Sequence, residues 1–262
     1  MKKLLLVFAH PDDESFSCAG TVAKYVKSGW DVDLVCATRG EVGITGPYGD
    51  ISQEKLGAIR QKEAETAGTI IGISSITFLG YKDGTLLDLP PGELEDKIYP
   101  IMVERIPDSV ITFDPTGISN HPDHIKMCYV TTFCFQKYAA WVAEKLAQMP
   151  SVDNDAEPKL YYACMPESVA TYLKKKKNIP AESFGKAWVG TEDKHITTVI
   201  NIEKSQVTKK KALKAHVSQS IDVDRFLSLR KHPLLRHEYF ILRMHGRFEV
   251  FMGKHDRVSN AL

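Results

Sequence analysis

Leu4-Leu5-Leu6-Val7-Phe8-Ala9-His10-Pro11-Asp12-Asp13-Glu14 is the stretch on which the reading of this 262-residue chain turns. Its apolar run reads as a buried strand, and at the carboxyl end of that strand come a histidine and three acids. The pattern recurs more than a hundred residues later, where Ser109-Val110-Ile111-Thr112-Phe113 is followed by His121-Pro122-Asp123-His124. In an open α/β sheet the loops at the carboxyl ends of neighbouring strands converge on one crevice. The two clusters are therefore expected to meet, offering imidazoles and carboxylates to a single divalent metal with a spare carboxylate beside it. That combination points to a metal-assisted hydrolase.

Outward from this stretch, strand-like and helix-like segments alternate through the first two-thirds of the chain, the pattern of a mostly parallel sheet covered by helices. Helices are expected over 15–27, closed by Gly29, over 53–71, from after Pro90-Pro91 to about Arg105, over 126–149 and over 203–218. Strands are expected over 31–38, 75–80, 109–113, 160–164 and 196–202. Residues 40–50 and 81–84 carry the glycines and turn residues of loops. Residues 151–158 read as an exposed polar linker, and 166–192 has no clean period. The expected fold class is α/β, a Rossmann-like three-layer fold with a mostly parallel sheet and an elaborated C-terminal third. One domain spans 1–262, with a lid or oligomer-contact insertion around 139–192.

Composition narrows the function. Contents of 43% apolar and 26% charged residues are ordinary for a soluble globular enzyme. A net charge of +1 makes no electrostatic case for nucleic acid or an acidic membrane surface. Five cysteines, an odd number without C-x-x-C spacing, fit a reducing, cytoplasmic setting rather than a disulfide framework. The opening Met1-Lys2-Lys3 and its apolar sequel superficially match a signal peptide, yet they run directly into His10-Pro11-Asp12-Asp13 with no small-residue cleavage site. No segment approaches the length of a membrane span. No G-x-G-x-x-G follows the first strand, which disfavours a dinucleotide site.

His10 and Asp13, three residues apart on a tight or first helical turn, can aim at one point. Nitrogen and oxygen donors suit zinc, and also iron, cobalt or manganese. Asp12 would then flank the metal as a general base for water. Alternatively, Asp12, Asp13 and Glu14 simply cap a helix start and complement its dipole. In the second cluster, His121 and His124 repeat the spacing. One of them could complete a two-histidine, one-carboxylate site that keeps a position open for water. The other, left unligated and oriented by a carboxylate such as Asp123, could stabilise an oxyanion or protonate a departing amine.

Together these residues resemble the LmbE/PIG-L family of metal-dependent de-N-acetylases, which includes N-acetylglucosaminyl-phosphatidylinositol deacetylases and the deacetylases and amidases of the mycothiol and bacillithiol pathways. Further motifs carry the resemblance along the chain. Thr38-Arg39-Gly40-Glu41-Val42-Gly43 is similar to the family's T-x-G-E-x-G loop, Arg60 and Glu63 to its R-x-x-E helix, and Tyr81-Lys82-Asp83-Gly84 to its D-G turn. Residues 211–219 are similar to a late A-x-x-x-H-x-S-Q element containing His216 and Gln219. Each taken singly has a plainer reading. The glycines at 40, 43, 46 and 49 turn a loop, and Arg60 with Glu63 is a surface pair at helical spacing.

The resemblance implies one Zn2+ per chain, with Fe2+ or another divalent metal allowed, held by His10, Asp13 and His124. It makes Asp12 the general base, His121 the unligated histidine, an imidazolium oriented by Asp123, and Arg60 a contact to the sugar or its attached group. His216 and Gln219 fall near the site without an assigned role. Ser119 stands where some sugar deacetylases carry a tyrosine. The implied activity is removal of an N-acetyl group from an N-acetylglucosamine-type amino sugar or small glycoconjugate. The alternatives are an amidase acting on a larger sugar-thiol conjugate and a non-catalytic carbohydrate- or metal-binding module on the same fold. The expected partner is a small amino-sugar substrate, with no nucleic acid and no membrane span, and with a homo-oligomer left open.

Overall fold

The computed structural model describes residues 1–148, 157–229, 235–252 and 257–262. In chain order its elements begin with β1 (Lys3–Phe8), α1 (Asp13–Ser17), α2 (Ala19–Lys27), β2 (Asp31–Thr38), α3 (Gln53–Ile71), β3 (Ser75–Tyr81) and α4 (Glu95–Arg105). There follow β4 (Ser109–Phe113), α5 (Gly117–Asn120), α6 (Pro122–Leu146), β5 (Lys159–Cys164), α7 (Glu167–Lys175) and a hairpin of β6 (Glu182–Ser183) and β7 (Lys186–Ala187). The chain closes with β8 (Thr198–Asn201), α8 (Gln206–Ala215), α9 (Ser220–Leu227), β9 (His237–His245) and β10 (Phe248–Glu249).

Every residue of β1 after Lys3 is buried. A strand apolar on both faces is stable only with strands on either side and helices above and below. The sheet order β10-β9-β5-β4-β1-β2-β3, with β8 also on β9, provides this setting. β3, β2, β1, β4 and β5 are parallel, and β9 runs antiparallel to its neighbours. The result is a three-layer α/β fold with a mostly parallel sheet. The chain lays β2 and β3 to one side of β1 and then returns to place β4 on the other, so the strand order reverses between β1 and β4. Crevices open at such switch points. The register Leu4↔Ser109 through Leu6↔Ile111 brings the two strand ends level. The Phe8 and Phe113 rings pack edge to face with centroids 4.9 Å apart.

Several expected boundaries shift for identifiable reasons. The helix expected over 15–27 breaks at Cys18 (φ −145°, ψ 8°) into α1 and α2. The break lets the first amides of α2, on Gly20 and Thr21, donate to the Glu238 carboxylate of β9 at 3.0 and 2.6 Å. This satisfies donors that no helical carbonyl can reach. The helix expected from 126 begins at Pro122, with His121 as its cap. The helix expected over 203–218 ends at Ala215 and is followed by a 3-10 turn. β9 was not anticipated. Part of the expected linker (151–156) and the end of the preceding helix (149) lie outside the described residues. Among the described residues of the 139–192 stretch, Ala139–Leu146 continue α6, β5 is an inner strand, and α7 and the β6-β7 hairpin lie outside the main sheet. All five cysteines are free and buried. Among the described residues no helix is long and apolar enough to cross a membrane.

Candidate active site

The level ends of β1 and β4 bring the two clusters together. His10 Nδ1 lies 3.1 Å from His124 Nε2, and Asp13 Oδ1 lies 3.3 Å from the same nitrogen. The other Asp13 oxygen, Oδ2, is 3.7 Å from His10 Nδ1 and accepts the His10 backbone N–H at 2.7 Å. The tight turn thus closes on itself through Asp13. His121 also brings a ring nitrogen into the group, with donor atoms of His10, His121 and His124 all within 4.8 Å of one another.

What surrounds the two rings settles which nitrogens face inward. His10 Nε2 meets Asp83 Oδ1 at 2.9 Å and Asp123 Oδ2 at 3.2 Å. His124 Nδ1 meets the Gly117 carbonyl at 3.1 Å, with its ring stacked on Phe113 at 4.0 Å. Carboxylates and carbonyls only accept, so His10 Nε2 and His124 Nδ1 carry protons. The remaining lone pairs, on His10 Nδ1 and His124 Nε2, therefore face each other beside a carboxylate. Such an arrangement demands a positive centre, either a proton or a metal cation. Burial works against charge on His10, but Asp123 and Asp83, with Asp13 nearby, outweigh it and raise its pKa to about 10. Burial, followed by the charge of His10, lowers that of His124 to about 3. Two ligands on a tetrahedral zinc, each about 2.0–2.1 Å from it, sit about 3.3 Å apart. The separations among His10, Asp13 and His124 fit that ion in both size and donor chemistry.

Asp12 does not cap the helix: its side chain makes no capping bond, and its backbone is left-handed at φ 108°, ψ −24°. A non-glycine residue held there is strained, and such strain collects at functional sites. The carboxylate meets Arg60 Nη2 at 3.2 Å. Burial pushes its pKa up to about 7, against the downward pull of Arg60 and with the help of Asp13.

Two of the expected site residues make contacts that their spacing does not reveal. Arg60, expected to reach the substrate, is 4% exposed. It donates to the Pro11 carbonyl at 2.6 Å and the Gly40 carbonyl at 2.8 Å, so it braces the turn and pairs with Asp12. A Cβ on Gly40 or Gly43 would lie 2.3 Å from Arg60 Nη1, so these glycines make room for the guanidinium as well as turning the loop. Asp123, expected to orient His121, turns its carboxylate to His10, drawn there by the Gly84 and Leu86 N–H groups, which donate at 2.8 and 3.0 Å. What meets His121 is the backbone N–H of Asp123, which donates to Nδ1 at 3.2 Å. An imidazolium has no acceptor there, so the ring is neutral with its proton on Nε2. Burial, then His124 and His10, hold its pKa down near 3.

Sequence reasoning gave Asp83 no role. It follows β3 at the same edge of the sheet as both clusters, which is the signal that could have found it. Its Oδ2 accepts the Val42 N–H at 3.0 Å while Oδ1 faces His10. Partners that fix a ligating histidine's tautomer strengthen metal binding, and losing one typically lowers affinity 10- to 100-fold. Asp83→Ala is expected to weaken divalent-metal affinity by about that factor, read by competition with a fluorescent chelator. Unchanged affinity would leave the orientation to Asp123 alone. Glu14 was likewise overlooked. It accepts from Ser15 Oγ at 2.7 Å and faces the buried His216 Nε2 at 3.4 Å. Gln219 donates to the Ile44 carbonyl at 2.8 Å, and Glu63 accepts the Ser218 N–H and hydroxyl at 2.8 and 2.6 Å. The late motif thus packs against the loops that frame the site. The clusters open into a cavity of about 800 Å³, whose lining includes Ile179, Phe184 and Trp188.

Comparison with known proteins adds to the geometry. The sequence pattern of the PIG-L family, described as GlcNAc-PI de-N-acetylase, matches residues 5–134. The chain is 42% identical over 124 residues to a probable N-acetyl-alpha-D-glucosaminyl L-malate deacetylase 2 of Bacillus anthracis, covering 47% of this chain and 54% of that protein. It is 31% identical over 245 residues to a 1D-myo-inositol 2-acetamido-2-deoxy-alpha-D-glucopyranoside deacetylase of Rhodococcus erythropolis, covering 83% of this chain and 81% of that one. The chain thus spans about half the length of the first relative and most of the second. Among solved structures, the N,N'-diacetylchitobiose deacetylase of Pyrococcus horikoshii superposes with a TM-score of 0.65 at 22% identity, covering 94% of this chain and 84% of that one. The 4-carboxy-2-hydroxymuconate hydratase GalB of Pseudomonas putida superposes at 0.64 with 17% identity, covering 92% and 95%. At these identities the structural likeness concerns the fold. A hydratase on that fold leaves the reaction to be argued from side chains.

Proposed function

The chain belongs to the PIG-L family of de-N-acetylases, and from that premise we propose that it is a metal-dependent amide hydrolase acting on the N-acetyl group of an N-acetylglucosamine-type amino sugar or small glycoconjugate. The observation that carries this reading is the approach of two ring nitrogens, His10 Nδ1 and His124 Nε2, 3.1 Å apart beside Asp13, with Asp12 strained next to them. His10, Asp13 and His124 would hold the metal, and zinc suits two nitrogens and an oxygen. Asp13 is preferred to His121 as third ligand because His121 Nδ1 already accepts a backbone N–H. The acetamido sugars in the relatives' names supply the substrate class. Buried free cysteines favour a cytoplasmic location.

A divalent cation at this position supplies Lewis acidity toward the amide carbonyl and acidifies water. The chain's own residues do the rest. Asp12, held by Arg60, accepts the proton of the attacking water as the new C–O bond forms. Its pKa near neutrality suits a group that must take a proton and later release it. His121, neutral with Nε2–H available, donates to the carbonyl oxygen as negative charge develops there. When the C–N bond breaks, the proton on Asp12 passes to the departing nitrogen, leaving acetate and a free amine. Neither a thiol-conjugate amidase nor a binding module is favoured by a specific contact.

The test is acetate release from N-acetylglucosamine and its simple glycosides. Turnover is expected to vanish on chelation and to return with added Zn2+. Turnover that survives exhaustive chelation would overturn the reading.

A further inference from the structure

The cavity beyond the metal cluster is walled in a way that selects among amino-sugar derivatives. Each lysine and arginine lining it is already paired: Arg60 with Asp12, Lys209 with Glu238, and Arg225 with Asp222. An anionic substituent on the sugar would meet no unpaired lysine or arginine among the described residues that line the cavity. Much of the lining is instead apolar and includes Ile179, Phe184, Trp188, Phe226 and Leu229. A volume of about 800 Å³ lies toward the upper end of the roughly 300–1,000 Å³ of pockets that hold drug-sized ligands. A single amino sugar leaves much of it unfilled.

Phe184 is the telling residue. It and Gly185 form the two-residue turn of the β6-β7 hairpin, with φ of 51° and 71°. Two positive φ values mark a type I′ turn, in which asparagine or glycine normally takes the first place. An aromatic ring held there is under backbone strain, and strain retained beside a reactive group points to function. The ring is 56% exposed, yet its centroid lies 4.5 Å from that of His121. The hairpin is pinned in this pose. Trp188 Nε1 donates to the Ile118 carbonyl at 2.6 Å, and Asn120 Nδ2 donates to the Ala187 carbonyl at 3.0 Å, both on the loop that carries His121.

We propose that Phe184, with Trp188 and Phe226 of the same cavity lining, forms an apolar subsite that selects amino-sugar substrates bearing an uncharged alkyl or aryl group. This inference deepens the hydrolase reading and rests on it for the identity of the sugar. The group could be the aglycone or an extended N-acyl chain, and the experiment separates the two.

The Kd values of zinc-loaded protein are measured by isothermal titration for N-acetylglucosamine, octyl 2-acetamido-2-deoxy-β-D-glucopyranoside and N-octanoylglucosamine. The same set is repeated with Phe184→Asn. Asparagine suits the turn better than phenylalanine, so the hairpin is retained while the ring is lost. At least one octyl compound is expected to bind tenfold or more tighter than N-acetylglucosamine, a preference equivalent to burying roughly two methylenes. In Phe184→Asn that ratio is expected to fall severalfold. A gain confined to the glycoside places the apolar group on the aglycone side, and one confined to the N-octanoyl compound places it on the acyl side. Equal Kd values for all three compounds, or an unchanged ratio in Phe184→Asn, would overturn the subsite. Failure to release acetate from the two acetamido compounds and octanoate from the N-octanoyl compound would count against the hydrolase reading instead, because the titration requires no turnover.

Discussion

Asp12→Asn is expected to lower turnover by about 10²- to 10⁴-fold, the contribution of a positioned acid–base group, while bound metal stays at the parent level. The substitution is chosen for the backbone as much as for the side chain. Asp12 sits at φ 108°, and asparagine tolerates a left-handed conformation better than other non-glycine residues. The amide keeps the volume of the carboxylate and an oxygen for Arg60 Nη2. It cannot take a proton from water. Asp12→Ala would confound the test by adding backbone strain and leaving the guanidinium without its partner. Burial already disfavours charge on Asp12 in the fold, so the melting temperature of Asp12→Asn is expected to equal or exceed the parent's. Parent-like turnover in this variant would remove Asp12 from the mechanism.

His124→Ala is expected to abolish metal binding and to reduce turnover to that of chelated protein. No other side chain presents an inward donor to both His10 Nδ1, at 3.1 Å, and Asp13 Oδ1, at 3.3 Å, among the described contacts. Its seat is also specific: the ring is held by the Gly117 carbonyl and by Phe113, neither of which would hold a substitute donor in place. His121→Ala is the contrast. Removing one oxyanion donor costs about 10²- to 10³-fold in kcat, and metal content is expected to remain near one ion per chain. Elemental analysis of the two variants side by side decides the matter. Metal retained in His124→Ala and lost in His121→Ala would exchange the two roles.

The strands over 31–38 and 109–113 and the helix over 53–71 have the boundaries read from their patterns. Their signals are local, arising from apolar runs, turn residues and helix period. Asp12, Asp13, His10, His121 and His124 were nameable because two histidine-acid clusters follow two apolar strands and together resemble one family's motifs. The direction of the Asp123 carboxylate was not nameable. It depends on N–H groups of Gly84 and Leu86, nearly forty residues away. Arg60 was expected at the sugar through the family resemblance alone, and its bonds to the carbonyls of Pro11 and Gly40 came only with the fold. Phe184 lies in a stretch without periodicity, and its importance comes from a turn geometry and a neighbouring ring.

Residue chemistry and hydrophobic pattern were enough to establish an α/β chain that gathers two histidine-acid clusters at one edge of a parallel sheet, and enough to place it in its family. Strand pairing and register were needed to bring His10 Nδ1 and His124 Nε2 within 3.1 Å of each other, to turn Asp83 toward His10, to leave His121 neutral and to set the Phe184 ring against His121. The division has a physical cause. Strand and helix formation is dictated by neighbours a few residues apart, whereas the orientation and protonation of a buried polar group follow whichever donors and acceptors the fold brings beside it.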